Sequence, residues 1–200
     1  MTSPTTGRFI VFEGIDGCGK STQVERLAAS QGWLATREPG GTELGGSIRS
    51  LILHGTQEPT PLAEALLMAA DRAHHVATII EPAIAAGRTV VCDRYAASTV
   101  AYQGWGHEGD LDQIAAINAI ATGGRTPDVT ILLDLPVALA LVRRGTEPDR
   151  LEALDHGFHE RVRSGYLAQA AADPGSWVVV DATARPSAVA AAVDEVLGLR

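Results

Sequence analysis

Residues 14–21, Gly-Ile-Asp-Gly-Cys-Gly-Lys-Ser, follow the apolar run RFIVFE (8–13) and open a stretch of helical periodicity. The spacing is G-x-x-x-x-G-K-[ST], and between a strand and a helix it describes a loop that wraps a phosphate, a P-loop. The glycines let backbone N–H groups turn inward, and the helix that follows adds the positive end of its dipole. Lys20 sharpens the reading, being the only lysine among the sixteen lysine and arginine residues of the chain. A compact ammonium fits inside such a loop, whereas a guanidinium is planar and wide. Gly14, Asp16, Gly17, Cys18, Gly19, Lys20, Ser21 and Thr22 are therefore the candidate ATP contacts. Lys20 would reach the β- and γ-phosphates, and Ser21 would offer its hydroxyl to Mg²⁺.

A loop of this kind needs a buried strand before it and a helix after it, and the rest of the chain repeats that alternation. RFIVFE (8–13), WLATRE (33–38), RTVVCD (88–93), DVTILLDL (128–135) and SWVVVD (176–181) read as strands. Several are continuously apolar, as expected where both faces of a parallel sheet are covered. Helices are predicted near 19–31, 42–54, 61–86, 95–104, 110–121, 136–144, 152–172 and 186–198. The fold class is α/β, a doubly wound parallel five-stranded sheet flanked by helices. With 200 residues and no repeat or linker, one domain spanning 1–200 is expected, with a flexible stretch at 1–7. Glu13, Glu38, Asp93 and Asp181 each end a strand, and Asp134 lies at the end of its run. Ligands of such sheets bind at the carboxyl ends of the strands, so these acids could hold magnesium or ribose hydroxyls. Acids that merely suit strand ends facing water are the other reading.

Composition narrows the partners. A net charge of −8 argues against non-specific binding to nucleic acid, so any phosphate must be met by a local basic pocket. Two cysteines, Cys18 and Cys92, form neither a disulfide framework nor a metal spacing, which makes a reducing cytoplasm the expected location. No apolar run reaches the length of a membrane span. The six histidines show no catalytic or metal spacing and receive no role.

A guanine-reading segment of the N-K-x-D type needs a second lysine, so a switch protein is excluded and a kinase for a small molecule or nucleotide remains. The segments FEGIDGCGKST, TREPGGTELGGSIRSLIL, AEALLMAADRAHH, DRYAASTVAYQGWG, RTPDVTILLDLP, RRGTEPDRLE and VVVDAT occur in this order along essentially the whole chain. Together they resemble the thymidylate kinases, P-loop nucleoside monophosphate kinases that phosphorylate dTMP to dTDP with ATP and Mg²⁺. The resemblance implies a P-loop kinase fold with a small lid near 143–152 and a homodimer, with ATP and dTMP as partners and no nucleic acid or membrane.

The resemblance also distributes roles. Arg94 would contact the phosphoryl groups, and Ser98, Thr99, Tyr102 and Gln103 would line the base and sugar site. Glu38 and Pro39 belong to a loop at the donor–acceptor junction, where Arg49 would grip the acceptor phosphate. Arg72 matches the arginine that hydrogen-bonds the pyrimidine O4. The position four before it, usually a stacking phenylalanine, is Met68. Asp16 would approach the sugar 3′-hydroxyl or metal-bound water. Asp93 would join Ser21 at the metal, partly through water, and Asp181 and Thr183 would meet ATP. The P-loop here carries no arginine, so a catalytic arginine is expected in the lid, with Arg143, Arg144 and Arg150 as candidates. The alternatives are a kinase for another monophosphate or for a nucleoside, the latter wanting a carboxylate base such as Asp93 or Glu38, a non-catalytic ATP-binding sensor, and a binding module with a vestigial loop.

Overall fold

The computed structural model describes residues 7–143 and 149–199. Arg144, with residues 145–148 of the expected lid, and residues 1–6 lie outside them. Five strands, β1 (Phe9–Glu13), β2 (Leu34–Arg37), β3 (Val90–Asp93), β4 (Val129–Asp134) and β5 (Trp177–Asp181), form one parallel sheet in the order β2-β3-β1-β4-β5. Both the strand positions and the all-parallel pairing match the sequence reading. Successive residues of β1 face opposite ways, so Ile10 and Phe12 enter one core with Ile131 and Leu133. Phe9 and Val11 enter another with Val90 and Cys92. Each such large apolar side chain, fully buried, contributes about 1.5–3 kcal/mol. The registers Arg37↔Asp93, Phe12↔Asp93 and Asp134↔Asp181 bring the acidic strand ends to one edge of the sheet.

The helices are α1 (Lys20–Gln31), α2 (Glu43–His54), α3 (Pro61–His75), α4 (Glu81–Ala85), α5 (Ala96–Thr99), α6 (Leu111–Thr122), α7 (Val137–Arg143), α8 (His156–Ala172) and α9 (Pro186–Leu197). Their starts follow from capping chemistry. The side chains of Thr42, Thr60, Asp110 and Asp155 accept first-turn N–H groups of α2, α3, α6 and α8. By contrast α1 begins at Gly19 with no side-chain cap, which leaves its N-terminal donors for a ligand.

Two expectations change in detail. The helix predicted over 61–86 is α3 and α4 joined by a π-helical turn, Val76–Ile80, and the one over 95–104 is α5 running into a π-helical Val100–Gly106. Such wide turns carry no periodicity signal of their own and often lie at functional sites. The helix predicted from 152 starts instead at His156. Asp149 Oδ1 accepts from the N–H groups of Leu151 and Glu152, both at 2.9 Å, and Asp155 caps the helix proper.

Candidate active site

Gly14, Gly17 and Gly19 all have positive φ, at 136°, 83° and 99°. At Gly14 a Cβ would also stand 2.6 Å from the Leu133 carbonyl, so strand β4 presses on the back of the loop. Any other residue there would strain both loop and sheet. The Lys20 side chain turns back under the loop, its Nζ donating to the carbonyls of Gly14 at 3.0 Å and Ile15 at 3.1 Å. This fixes the ammonium beside the backbone that would wrap a phosphate.

Arg94 follows β3 with φ 71°, a left-handed backbone that a non-glycine residue rarely adopts. Its guanidinium donates to the Gly14 carbonyl (3.1 Å), Ser98 Oγ (3.2 Å), Tyr166 OH (2.8 Å), Tyr102 OH (3.0 Å) and Asp16 Oδ1 (2.5 Å). The Tyr102 hydroxyl in turn donates to Asp16 Oδ2 at 2.7 Å. Burial alone would raise the Asp16 pKa, but the charges of Arg94 and Lys20 outweigh it and hold the carboxyl below the usual range. A cation anchored from several sides next to the phosphate loop is a preorganised charge stabiliser.

The strand-end acids divide by duty. Glu13 is buried and accepts from the Tyr95 N–H and the Ser98 hydroxyl, and burial raises its pKa despite these bonds and the Arg94 charge. Asp134 pairs with Arg163 through both oxygens, at 2.7 and 2.9 Å, and Asp181 accepts from the Thr183 N–H at 2.8 Å. Glu38 is shared between Arg72 and His75, each at 2.8 Å. Asp93 differs: Oδ2 accepts from Ser21 Oγ at 2.5 Å, while the buried Oδ1 has no hydrogen-bond partner among the described residues. An orphaned carboxylate oxygen behind the P-loop serine fits a magnesium ion. No group of three His, Cys, Asp or Glu side chains among the described residues could hold a metal alone. The donor set thus suits an ion that keeps waters and takes phosphate oxygens.

Beside the P-loop lies a cavity bounded by α2, α3 and the segment 94–103. Every residue assigned to the acceptor in the sequence lines it, from Asp16, Glu38, Pro39, Arg49, Met68 and Arg72 to Arg94, Ser98, Thr99, Tyr102 and Gln103. A second cavity, lined by Gly17, Gly19, Lys20, Ser21, Thr22 and Asp93, covers the P-loop. The two share Asp16, Glu38, Arg49 and Arg94. Two adjoining cavities with two arginines at the junction are a geometry for moving a phosphoryl group from one ligand to the other.

A family model for thymidylate kinase matches residues 12–193. The chain belongs to the thymidylate kinase family. A thymidylate kinase of Thermosynechococcus vestitus is 48% identical over 215 residues, covering 98% of this chain and 89% of that protein. One from Synechococcus sp. (strain JA-2-3B'a(2-13)) is 51% identical over 190 residues, with 92% and 90% covered. The crystal structure of thymidylate kinase from Ehrlichia chaffeensis superposes with a TM-score of 0.79 at 33% identity, covering 96% of this chain and 98% of that one. The resemblance read from the ordered motifs and the P-loop kinase fold are thus both borne out.

Within this thymidylate kinase framework one candidate, Arg150, stands apart from the P-loop cavity. Arg150 is held by Glu64, by Glu58 and by the Ile52 carbonyl at 3.0 Å, and its neighbours Asp149 and Leu151 line the acceptor cavity. The structure does not bring it to the P-loop. Arg143 does lie near the loop, since a Cβ on Gly17 would stand 3.6 Å from its Cβ, and its Nη1 donates to the Ala182 carbonyl between Asp181 and Thr183. Arg49 donates to the Pro39 carbonyl at 3.2 Å. Sequence reasoning missed Tyr166, which holds both Arg94 and Ser98, and Leu53, Tyr95, Asp149 and Leu151 in the cavity wall. Only the pair 149 and 151 had a signal, lying within the expected lid.

Next to this site Asp71 accepts from the Gly40 N–H at 3.3 Å, and its second oxygen is buried without a partner among the described residues. Burial, with Glu38 nearby, pushes its pKa up to about 6. A carboxylate with a raised pKa costs stability above its folded value and recovers it as pH falls towards the unfolded one. Asp71→Asn should therefore gain on the native protein as pH rises from about 4 to about 6 and hold that gain above, by about 3 kcal/mol at most. Thermal unfolding of both proteins across this range checks it; parallel curves would remove the assignment.

Proposed function

We propose that this thymidylate kinase family member transfers the γ-phosphoryl group of ATP to dTMP, giving ADP and dTDP, as one kinase domain with a lid near 143–152. The observation that carries the reading is the pair of cavities meeting at Asp16, Glu38, Arg49 and Arg94. ATP phosphates would lie on the P-loop N–H groups and Lys20, with the adenosine towards Asp181 and Thr183. The dTMP phosphate would meet Arg49 and Arg94, with its sugar near Asp16 and Tyr102 and its base between Met68 and Arg72. The acceptor oxygen is largely ionised near neutral pH, its second pKa being about 6, so no general base is needed. This agrees with Glu38 being held by Arg72 and His75 and one Asp93 oxygen by Ser21, which disfavours a nucleoside acceptor.

Ser21 and Asp93 would hold Mg²⁺, whose charge offsets that of the β- and γ-phosphates when bound. Arg94 and Lys20 face the oxygens on which charge accumulates, and Arg143 or Arg144 would approach from the lid side. Arg72 offers donors only, which suits a 4-oxo pyrimidine and opposes a 4-amino one.

ADP release with ATP, Mg²⁺ and a panel of acceptors tests the reading. The expected order is dTMP first and dUMP about 10–200-fold poorer, since one methyl group in an apolar pocket is worth no more. dCMP and dAMP should be poorer still, with no transfer to thymidine. Absence of transfer to every acceptor in protein that binds ATP would leave only a nucleotide-binding fold.

We also read the protein as a cytoplasmic homodimer. Both cysteines are free and buried, and no helix among the described residues is long and apolar enough to cross a membrane. Leu62 and Leu66 of α3 and Leu111 and Ile120 of α6 remain exposed, which supports association of two copies through these packed helices.

A further inference from the structure

Behind the acceptor cavity lies a buried imidazole that the proposed chemistry does not use. His75, the last residue of α3, has no exposed surface. Its Nδ1 lies 2.8 Å from Glu38 Oε1 and its Nε2 lies 2.6 Å from Thr36 Oγ1. A carboxylate offers only acceptors, so Nδ1 carries a proton towards Glu38, and the rotatable Thr36 hydroxyl can serve Nε2 in either protonation state.

The other oxygen of Glu38 accepts from Arg72 Nε at 2.8 Å. Arg72 is further held at Nη1 by Asn118 Oδ1, at 2.7 Å, and at Nη2 by the Tyr95 carbonyl, at 3.1 Å. These contacts take three of the five guanidinium N–H groups, and the remaining two are those available to a base in the cavity. Glu38 thus fixes one edge of the guanidinium plane, and His75 keeps Glu38 from turning. The chain of contacts also ties β2 and the loop after it to α3, the two walls that carry Pro39 and Met68.

We propose that His75 is a positioning residue for acceptor specificity: through Glu38 it holds Arg72 in the orientation that accepts a 4-oxo pyrimidine and rejects a 4-amino one. The inference rests on dTMP being the acceptor. Without the relay the guanidinium can tilt, which weakens its bond to the 4-oxo group and relieves the opposition of donors facing a 4-amino group.

The test is steady-state kinetics of His75→Ala, His75→Asn and Thr36→Val with dTMP and dCMP at saturating ATP. For His75→Ala the KM for dTMP should rise about 10-fold and the dTMP-to-dCMP ratio of kcat/KM should fall about 10-fold, the scale of one lost directional hydrogen bond. The kcat and the KM for ATP should change by less than about 3-fold, because His75 lines neither cavity and Lys20 and Arg94 are held by other partners. Asparagine keeps a side-chain N–H close to the Nδ1 position and should restore most of the selectivity.

A His75→Ala protein that melts earlier yet keeps the native KM and selectivity would show mere packing and overturn the proposal. So would a fall confined to kcat. If His75→Ala does not fold, Thr36→Val decides, with the same shifts expected at about 2–3-fold and none if the relay is idle. Failure of the native protein to phosphorylate dTMP would instead overturn the acceptor reading itself.

Discussion

Lys20→Ala is expected to lower kcat about 10³-fold with the fold intact, the upper end of what one preorganised charge contact at a transferring group contributes. The magnitude follows from where the ammonium sits. Lys20 is 5% exposed, and the carbonyls of Gly14 and Ile15 hold it under the loop. No other lysine exists in the chain to replace it. Arg94 already donates to the Gly14 carbonyl, so the loop keeps one of its ties when Lys20 is lost. Circular dichroism should therefore show a folded protein, while ADP release with saturating ATP and dTMP shows the lost rate. Lys20→Arg should fare little better, because the planar fork does not fit the space of the ammonium. A lysine-free variant turning over within 10-fold of the native rate would sink the role given to this residue.

Arg94→Ala should reduce kcat/KM for dTMP by about 10³-fold or more, because in the proposed function one guanidinium would serve both the acceptor phosphate and the developing charge. It should also change how stability depends on pH. Asp16 has a depressed pKa, so its pairing stabilises the fold above the usual carboxylate range, and that contribution is lost as pH falls through the folded value. Removing Arg94 takes away a charge that opposes the burial of Asp16. The variant should melt earlier than the native protein at pH 7, with the gap narrowing in acid. Arg94→Lys should recover part of the stability and little of the rate, since an ammonium cannot reproduce the five contacts of the fork. A variant that kept dTMP turnover within 10-fold would refute the assignment, whatever its melting temperature.

Much of this was legible in the sequence. The P-loop and the alternation of strands with helices follow from local patterns, and the acceptor residues clustered after β3 follow from the family resemblance of the ordered motifs. What was not legible is non-local. His75 meets Glu38 across 37 residues and Arg94 meets Tyr166 across 72, and no periodicity encodes either pairing. The six histidines looked idle because imidazole function was sought in metal or catalytic spacings, whereas His75 acts on a carboxylate brought from another element. Arg150 invited a role at the phosphates because lid arginines cluster in sequence, but the buried Glu64 claims it. The acids at the strand ends looked alike in sequence, and only their partners distinguish Asp93 from the rest.

The junction at Asp16, Glu38, Arg49 and Arg94 has a consequence for inhibition. Because the two cavities adjoin and share these residues, a single bisubstrate molecule carrying an adenosine end and a thymidine end should reach both, and the second end would bind at the high effective concentration that a short tether confers. A mutation at the shared wall that expelled such a compound would also disturb the groups proposed to move the phosphoryl group. Escape at these four positions should therefore carry a fitness cost that escape at the outer rim of either cavity does not.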